Sequence, residues 1–432
     1  MCLLLHSGAA LAQSAVHPLT LLLESDADWA QVDVHGLQLR ILKRELSVAG
    51  DAAVPALGLA VRKLAGDPTP VSLRATCEAM ATGDAVEFVL TRADVGKTRL
   101  RIWAGSKVIV DARQEGPLPG RPQNRQTIAV DLAKVLAAPP LPRRDYGKRA
   151  LAFLYGWYGT PQGPAGSWQH WDPAVRNHAG RDTPQLGWYD AADPAIVAQQ
   201  VAWAREAGLD GFVLSWWPGD AHEAQVLEAL LKVVRGTDFT VSVYVEDAKD
   251  AGHLRTQLLE LAQKYGSRDN WLRVDGKPVL FVYGRTVNDL SLPAMQSVMR
   301  DMPAFVVVDT VHPVMVPTFD GSHTYVGAAF PERYHQQFEG LAAKARLYDK
   351  LLCATVLPGY DDSHVRTPAL VVRRDDGRFF ERAWATASLA DWVIVSTWNE
   401  WHEGSEIEPS LEYGRAWLDR TREFVRRWRG AP

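Results

Sequence analysis

The residues best suited to do chemistry lie near the C-terminus, where Thr397-Trp398-Asn399-Glu400-Trp401-His402-Glu403-Gly404 sets two glutamates three positions apart among indoles. Cleavage of a glycosidic bond asks for such a pair. One carboxyl is kept protonated for the leaving oxygen, and the other is ionised on the opposite side of the reacting carbon. The indoles of Trp398 and Trp401 lower the local dielectric and favour a protonated carboxyl near neutral pH. In an extended strand Glu400 and Glu403 would point to opposite faces, so both serve one site only if the strand ends near Trp398 and the chain curls into a turn. The competing reading is a surface acidic turn that Glu406 and Glu408 continue. A zinc site fits less well, because His402-Glu403 opens like H-E-x-x-H but position 406 is Glu; neither a metal nor a cofactor is expected.

The elements that must position this pair follow from the apolar pattern. From 149 to 432 short apolar runs alternate with segments of helical 3–4 spacing, as parallel βα units do. The strand candidates are Ala150 to Tyr155, Gly211 to Trp216, Thr240 to Val245, Val279 to Tyr283, Ala304 to Val308, His323 to Val326, Leu352 to Leu357 and Trp392 to Thr397. Helices are expected at Pro194 to Ala207, Glu223 to Val234, Tyr334 to Leu351 and Leu411 to Arg427, with the interval around strands five and six poor in helix. Eight units in this length fit a (β/α)₈ TIM barrel. A doubly wound open sheet is the alternative, but no G-x-G-x-x-G follows the first strand. Before the barrel, residues 18–138 show period-two runs such as Leu37-Gln38-Leu39-Arg40-Ile41 and Val86-Glu87-Phe88, which predict a smaller antiparallel β domain of accessory or carbohydrate-binding role. The proline-rich stretch 139–148 reads as the linker.

In a TIM barrel function gathers where strands end, so the residues after each apolar run are the informative ones. Tyr155, Trp157 and Tyr158, with His170 and Trp171, follow strand one; Trp216 and Trp217 close strand two; Tyr244 and Glu246 close strand three. Tyr325, Tyr360, Asn399 and Trp401 complete the candidate substrate-binding set, with Trp157, Trp216, Trp217 and Trp401 as platforms on which sugar C–H faces could stack. Sixteen tryptophans suit that role, and 47 basic against 51 acidic residues point to a neutral partner such as a glycan and away from nucleic acid. No stretch reaches the ~18 apolar residues of a membrane span. Residues 1–17 read as a signal segment, since Ala10-Leu11-Ala12 has the A-x-A shape of a cleavage site; a secreted or periplasmic location is expected. Cys77 and Cys353 fall in different domains, so no disulfide framework is expected, and nothing speaks to oligomeric state.

The run Ser396 to Glu408 resembles the strand-eight motif of glycoside hydrolase family 99, the endo-α-1,2-mannosidases and mannanases. Tyr155-Gly156-Trp157-Tyr158-Gly159 with His170-Trp171, Gly187-Trp188-Tyr189, Ser215-Trp216-Trp217-Pro218 and Pro358-Gly359-Tyr360-Asp361 are similar to that family in the same order, over roughly residues 150 to 410. The resemblance implies a retaining hydrolase of mannose-type glycans. Glu400 would act as base on the substrate's own 2-hydroxyl to give a 1,2-anhydro sugar, and Glu403 as acid, then base. Where the family typically has histidine and glutamine after strand three, this chain has Tyr244 and Glu246. The stretch Glu408 to Leu418 also resembles WbsX-like proteins of surface-polysaccharide assembly, which leaves an assembly protein, or a non-catalytic glycan binder, as the alternatives.

Overall fold

The computed structural model describes residues 15–48, 59–63, 69–93, 95–115, 125–171, 181–325 and 331–430, without the side chains of 47–48 and 331–332. The chain divides into two units, the first running to Arg144 and the second taking nearly everything from Asp145 onward. Of the expected signal segment 1–17, residues 1–14 lie outside the described residues, and Val16 and His17 open the strand Val16–Ser25.

The first unit is built from two antiparallel sheets. One has five strands, in the order Leu37–Val48, Val71–Ala81, Val16–Ser25, Thr98–Ala104 and Lys107–Gln114. The other has four, in the order Ala60–Arg62, Trp29–His35, Val86–Arg92 and Arg125–Val130. Strict alternation along Val16–Ser25 turns Leu19, Leu21 and Leu23 into a core shared with Ala30, Val32, Phe88 and Leu90 of the other sheet.

The second unit is a closed barrel of eight parallel strands: β1 Arg149–Leu154, β2 Gly211–Trp216, β3 Thr240–Val245, β4 Lys277–Val282, β5 Phe305–Asp309, β6 Gly321–His323, β7 Leu351–Val356 and β8 Trp392–Val395. Pairing of β8 with β1 and of β3 with β4 completes the ring. The strands are almost wholly buried, which is why they read as continuous apolar runs. Around them lie α1 Pro194–Glu206, α2 Ala221–Val233, α3 Ala251–Tyr265, α4 Leu292–Met299, α5 Pro331–Tyr348, α6 Arg378–Thr386 and α7 Ala416–Trp428. Asp193, Asp220, Asp250 and Ser291 cap the first four by accepting from first-turn amides, which fixes where each βα loop ends. Between β5 and β6 there are turns and no helix, the helix-poor interval expected.

Among the expected boundaries that move, two have a clear local cause. Strand six is Gly321–His323, not His323 to Val326, and Val326 itself is outside the described residues. Gly321 sits so close to β7 that a Cβ would meet the Leu351 Cβ at 2.9 Å, and a strand of Gly, Ser and His has no apolar signature. The last helix begins at Ala416, not Leu411, because Ser410 and Gly414 bridge each other in a turn, with Gly414 at φ +56°. Cys77 and Cys353 are buried thiols, and no described helix is long and apolar enough to cross a membrane.

Candidate active site

β8 ends at Val395, and the loop after it folds back on itself. Thr397 N donates to Ser405 O at 2.9 Å and Glu408 N to Trp398 O at 2.9 Å, while Glu400 N donates to Thr397 Oγ1 at 2.8 Å. Gly404 closes the turn at φ +54°, a conformation that costs glycine little. This curl lets residues three apart act on one set of groups: Glu400 and Glu403 both bear electrostatically on the hydroxyls of Tyr155 and Tyr325, which bond each other at 2.7 Å.

Glu400 is 2% exposed. Burial, then the neighbouring Glu403 and Glu246, push its carboxyl well above the usual carboxylate range, against an opposing hydrogen bond from His402 N at 3.2 Å and the more distant Arg366. Glu403 instead accepts from Arg366 Nη1 at 2.7 Å, and the same nitrogen reaches Tyr360 Oη at 2.7 Å and Asp362 Oδ2 at 2.8 Å. One carboxyl of the pair is thus desolvated and the other ion-paired. Glu246, at the end of β3, is also buried; it accepts from Ser215 Oγ at 2.9 Å and Arg285 Nη2 at 3.3 Å, and burial lifts it to about 7.

The candidate substrate residues separate into surface and support. Trp157 stacks on His170 at 4.8 Å and leans on Tyr155 at 4.6 Å. Trp217 lies under the Arg285 guanidinium at 4.9 Å, and Tyr283 flanks the same cation at 4.7 Å. Trp157, Trp217, Tyr325 and Tyr360 keep partial exposure. Trp401 does not line a cleft: it is fully buried, its Nε1 donating to Tyr189 Oη at 3.2 Å. Trp216 also turns away. Ser215 points inward to Glu246, so alternation sends Trp216 outward onto Tyr265 of α3, with centroids 6.2 Å apart. Tyr158 and Trp171 are buried against each other at 4.1 Å, and Tyr244 is buried among Phe153, His323 and Tyr325. Asn399 is a tie between strands: Oδ1 accepts from Tyr155 N at 2.7 Å, and Nδ2 donates to Tyr155 O at 3.0 Å and Tyr189 Oη at 3.1 Å.

Sequence reasoning missed Arg366, Arg285, Tyr283 and Asp309. Asp309, at the end of β5, accepts from Gly284 N and Tyr325 N, and burial lifts it to about 6. Its place at a strand end was a usable signal. The two arginines come from loops where a cation is the ordinary solvent-facing residue, and nothing in their spacing singles them out. Among the described residues no group of three or more His, Cys, Asp or Glu could hold a metal ion.

A closed (β/α)₈ barrel with buried acids and exposed aromatics at the C-terminal ends of its strands is the build of a glycoside hydrolase. The sequence profile of glycosyl hydrolase family 99 matches residues 146–415, and the chain belongs to that family. The glycoprotein endo-alpha-1,2-mannosidase of Rattus norvegicus is 24% identical over 312 residues, covering 60% of this chain and 67% of the relative. The glycoprotein endo-alpha-1,2-mannosidase-like protein of Homo sapiens is 25% identical over 313 residues, 60% of this chain and 68% of its own length. The GH99 endo-alpha-mannosidase structure from Bacteroides thetaiotaomicron shares the fold, with a TM-score of 0.56 at 21% identity over 67% of this chain and 99% of that one.

Proposed function

We propose that the enzyme is a retaining endo-acting α-mannosidase, with Glu400 as base and Glu403 as acid. The observation that supports this is the convergence of both carboxyls from one short loop on the hydroxyls of Tyr155 and Tyr325, and the division of roles follows the family's strand-eight motif. Glu400 removes the proton of the substrate's 2-hydroxyl, whose oxygen attacks the anomeric carbon, while Glu403 gives its proton to the leaving oxygen. Glu403 then takes a proton from water, which opens the 1,2-anhydro ring as Glu400 returns its proton to O2. Two inversions give net retention.

Burial favours the proton on Glu400, and Arg366 pairs with Glu403, so Glu400 gives up its proton before it acts as base. Once ionised, a desolvated Glu400 is a stronger base than an ordinary carboxylate, which abstraction from a sugar hydroxyl requires. The support for mannose and for endo action is the relatives' own names. Export from the cytoplasm is part of the proposal and rests on Ala10-Leu11-Ala12; fractionation of cells producing the full chain tests it.

The test of mechanism uses an α-mannan oligosaccharide, its 2-deoxy-2-fluoro analogue and NMR of the first-formed product. We expect retained configuration, very slow hydrolysis of the fluoro sugar, no covalent adduct, and loss of roughly 10²-fold or more in turnover for Glu400→Gln and Glu403→Gln. An inverted product, or a mass adduct on Glu400, sinks the mechanism.

A further inference from the structure

The ends of β2, β3 and β4 converge on one guanidinium. Arg285 stands in the short helical turn Gly284–Thr286 just after β4. The ring of Trp217, from the end of β2, packs on it at 4.9 Å, and the ring of Tyr283 at 4.7 Å. One edge is spent on the end of β3, where Nε donates to Glu246 O at 2.9 Å and Nη2 to Glu246 Oε2 at 3.3 Å. Nη1 has no hydrogen-bond partner among the described residues, and the side chain is 49% exposed. An arginine on a loop ordinarily swings in solvent. This one is immobilised with Nη1 and the second N–H of Nη2 left as an open fork, the arrangement that takes a carboxylate or phosphate in two parallel bonds.

The fork belongs to the candidate active site. Tyr283 feels Arg285, Glu246 and Glu403 together, and Glu246 bears on Glu400. The other arginine of the site, Arg366, is already committed to Glu403, Asp362 and Tyr360. The acids packed around Arg285 are Glu246 from β3, Glu223 from α2, which accepts from Trp217 N, and Asp309 from β5, which accepts from Gly284 N. All three are buried, and desolvation lifts them to about 7, 9 and 6 respectively. In mildly acidic solution they hold protons, and Arg285 carries the local charge. Glu246 also stands where the family typically has glutamine, so the residue that fixes the cation is one in which this chain departs from the family pattern.

We propose that Arg285 reads an anionic substituent, a carboxylate or a phosphate monoester, on the glycan held at the ends of β2 to β4, so that an acidic α-mannan is preferred to a neutral one. The inference rests on the glycosidase reading and narrows its substrate class.

The experiment measures dissociation constants by calorimetry at pH 5.5, in a Glu400→Gln background that does not turn substrate over. The probes are a neutral α-1,2-mannan tetrasaccharide, the same chain with a phosphate monoester on its terminal mannose, and the same chain capped by glucuronate. One anionic probe should bind about tenfold or more tightly than the neutral one, and which of them does so identifies the group as phosphate or carboxylate. Arg285→Gln should bring that ratio to about one while changing affinity for the neutral probe less than about threefold, with a melting temperature near the parent's. Should that variant not fold, Glu246→Gln gives the second reading, because it keeps the side chain's length and cannot ionise. At pH 8.5 it should bind the preferred anionic probe about threefold or more tightly than the parent does, with the neutral probe unchanged. Anionic probes that bind the parent no more tightly than the neutral one, a ratio that survives in folded Arg285→Gln, or equal anion affinities of Glu246→Gln and parent at pH 8.5 overturn the acidic-substrate inference and leave the glycosidase reading intact. Failure of all three probes to bind the parent overturns the α-mannan reading and the inference together.

Discussion

Asn399 was expected to touch substrate, and the structure gives it a structural task that predicts a large effect of Asn399→Ala. The side chain has no exposed surface and spends its polar atoms on Tyr155 N, Tyr155 O and Tyr189 Oη. Truncation leaves both main-chain groups of Tyr155 buried without those partners, at about 1–3 kcal/mol each. Tyr189 Oη is cushioned, because it keeps Glu408 at 2.8 Å and Trp401 Nε1. The sum is about 2–6 kcal/mol, its lower end reached if water enters the gap. At about 2–4 °C per kcal/mol for a domain of this class, the barrel's melting transition should fall by roughly 4–24 °C. Tyr155 Oη meets Tyr325 Oη beside Glu400 and Glu403, so turnover of an α-mannan substrate should fall by about 10²-fold at a temperature where the variant is still folded. Differential scanning calorimetry and single-substrate kinetics measure the two effects. A melting shift of about 1 °C or less, with turnover near wild type, would refute the claim that this side chain ties β1 to the loop after β8.

Glu223 is buried, accepts from Trp217 N at 2.6 Å, and is lifted by desolvation to about 9. The folded state therefore holds a proton that the unfolded chain releases above the ordinary Glu range, and the resulting stability is lost as pH rises through about 9. Glu223→Gln cannot titrate, so its melting temperature relative to wild type should climb steadily from pH 5 to pH 9; parallel profiles count against the argument. Arg366→Gln removes a cation that lowers Glu400 and pairs with Glu403, so the pH–rate profile should shift to higher pH with little change in stability, the guanidinium being half exposed. An unshifted profile would assign Arg366 to loop packing alone. Trp217→Ala should weaken glycan binding by roughly 3- to 10-fold with a small melting shift, whereas unchanged affinity returns that ring to support of Arg285.

How far the sequence spoke for the structure depended on whether one residue's type carried the information. β1 to β5, β7 and β8 announced themselves as apolar runs because both faces of a parallel barrel are covered. β6 did not, since Gly321-Ser322-His323 is held by close backbone approach to β7. The two glutamates were legible from type and spacing, and the turn that lets them converge was inferable from the strand's end. Which tryptophans face the barrel mouth was not. Trp216 and Trp217 are adjacent and look alike, and the inward Ser215 decides between them. Trp401 looked like a platform beside the glutamates, yet Tyr189, from a loop more than two hundred positions earlier, draws it into the core.

The buried carboxyls have a common logic that reaches beyond the proposed acid and base. Glu408, lifted to about 7, accepts from Tyr189 Oη and Gln200 Nε2; Glu406, lifted to about 8, pairs with Arg374; Asp309 and Glu223 accept from main-chain amides. Loops at the mouth of a barrel have no strand neighbour to take their amides, and a carboxyl delivered from an adjacent strand or helix is a compact acceptor for them. Protonated, it can sit in low dielectric without the cost of an unpaired charge. The scaffold is therefore titratable in the same range as the chemistry it supports. As pH rises through about 7 Glu408 ionises beneath Tyr189, and because Tyr189 Oη and Gln200 Nε2 both donate to it, the cost is that of a buried charge. An alkaline loss of turnover thus has two sources, the buried Glu400 and the clamps around it. They separate on one observable: loss from Glu400 leaves the tryptophan environment of the loop unchanged, whereas loss from the clamps moves Trp398 and Trp401 fluorescence together with rate.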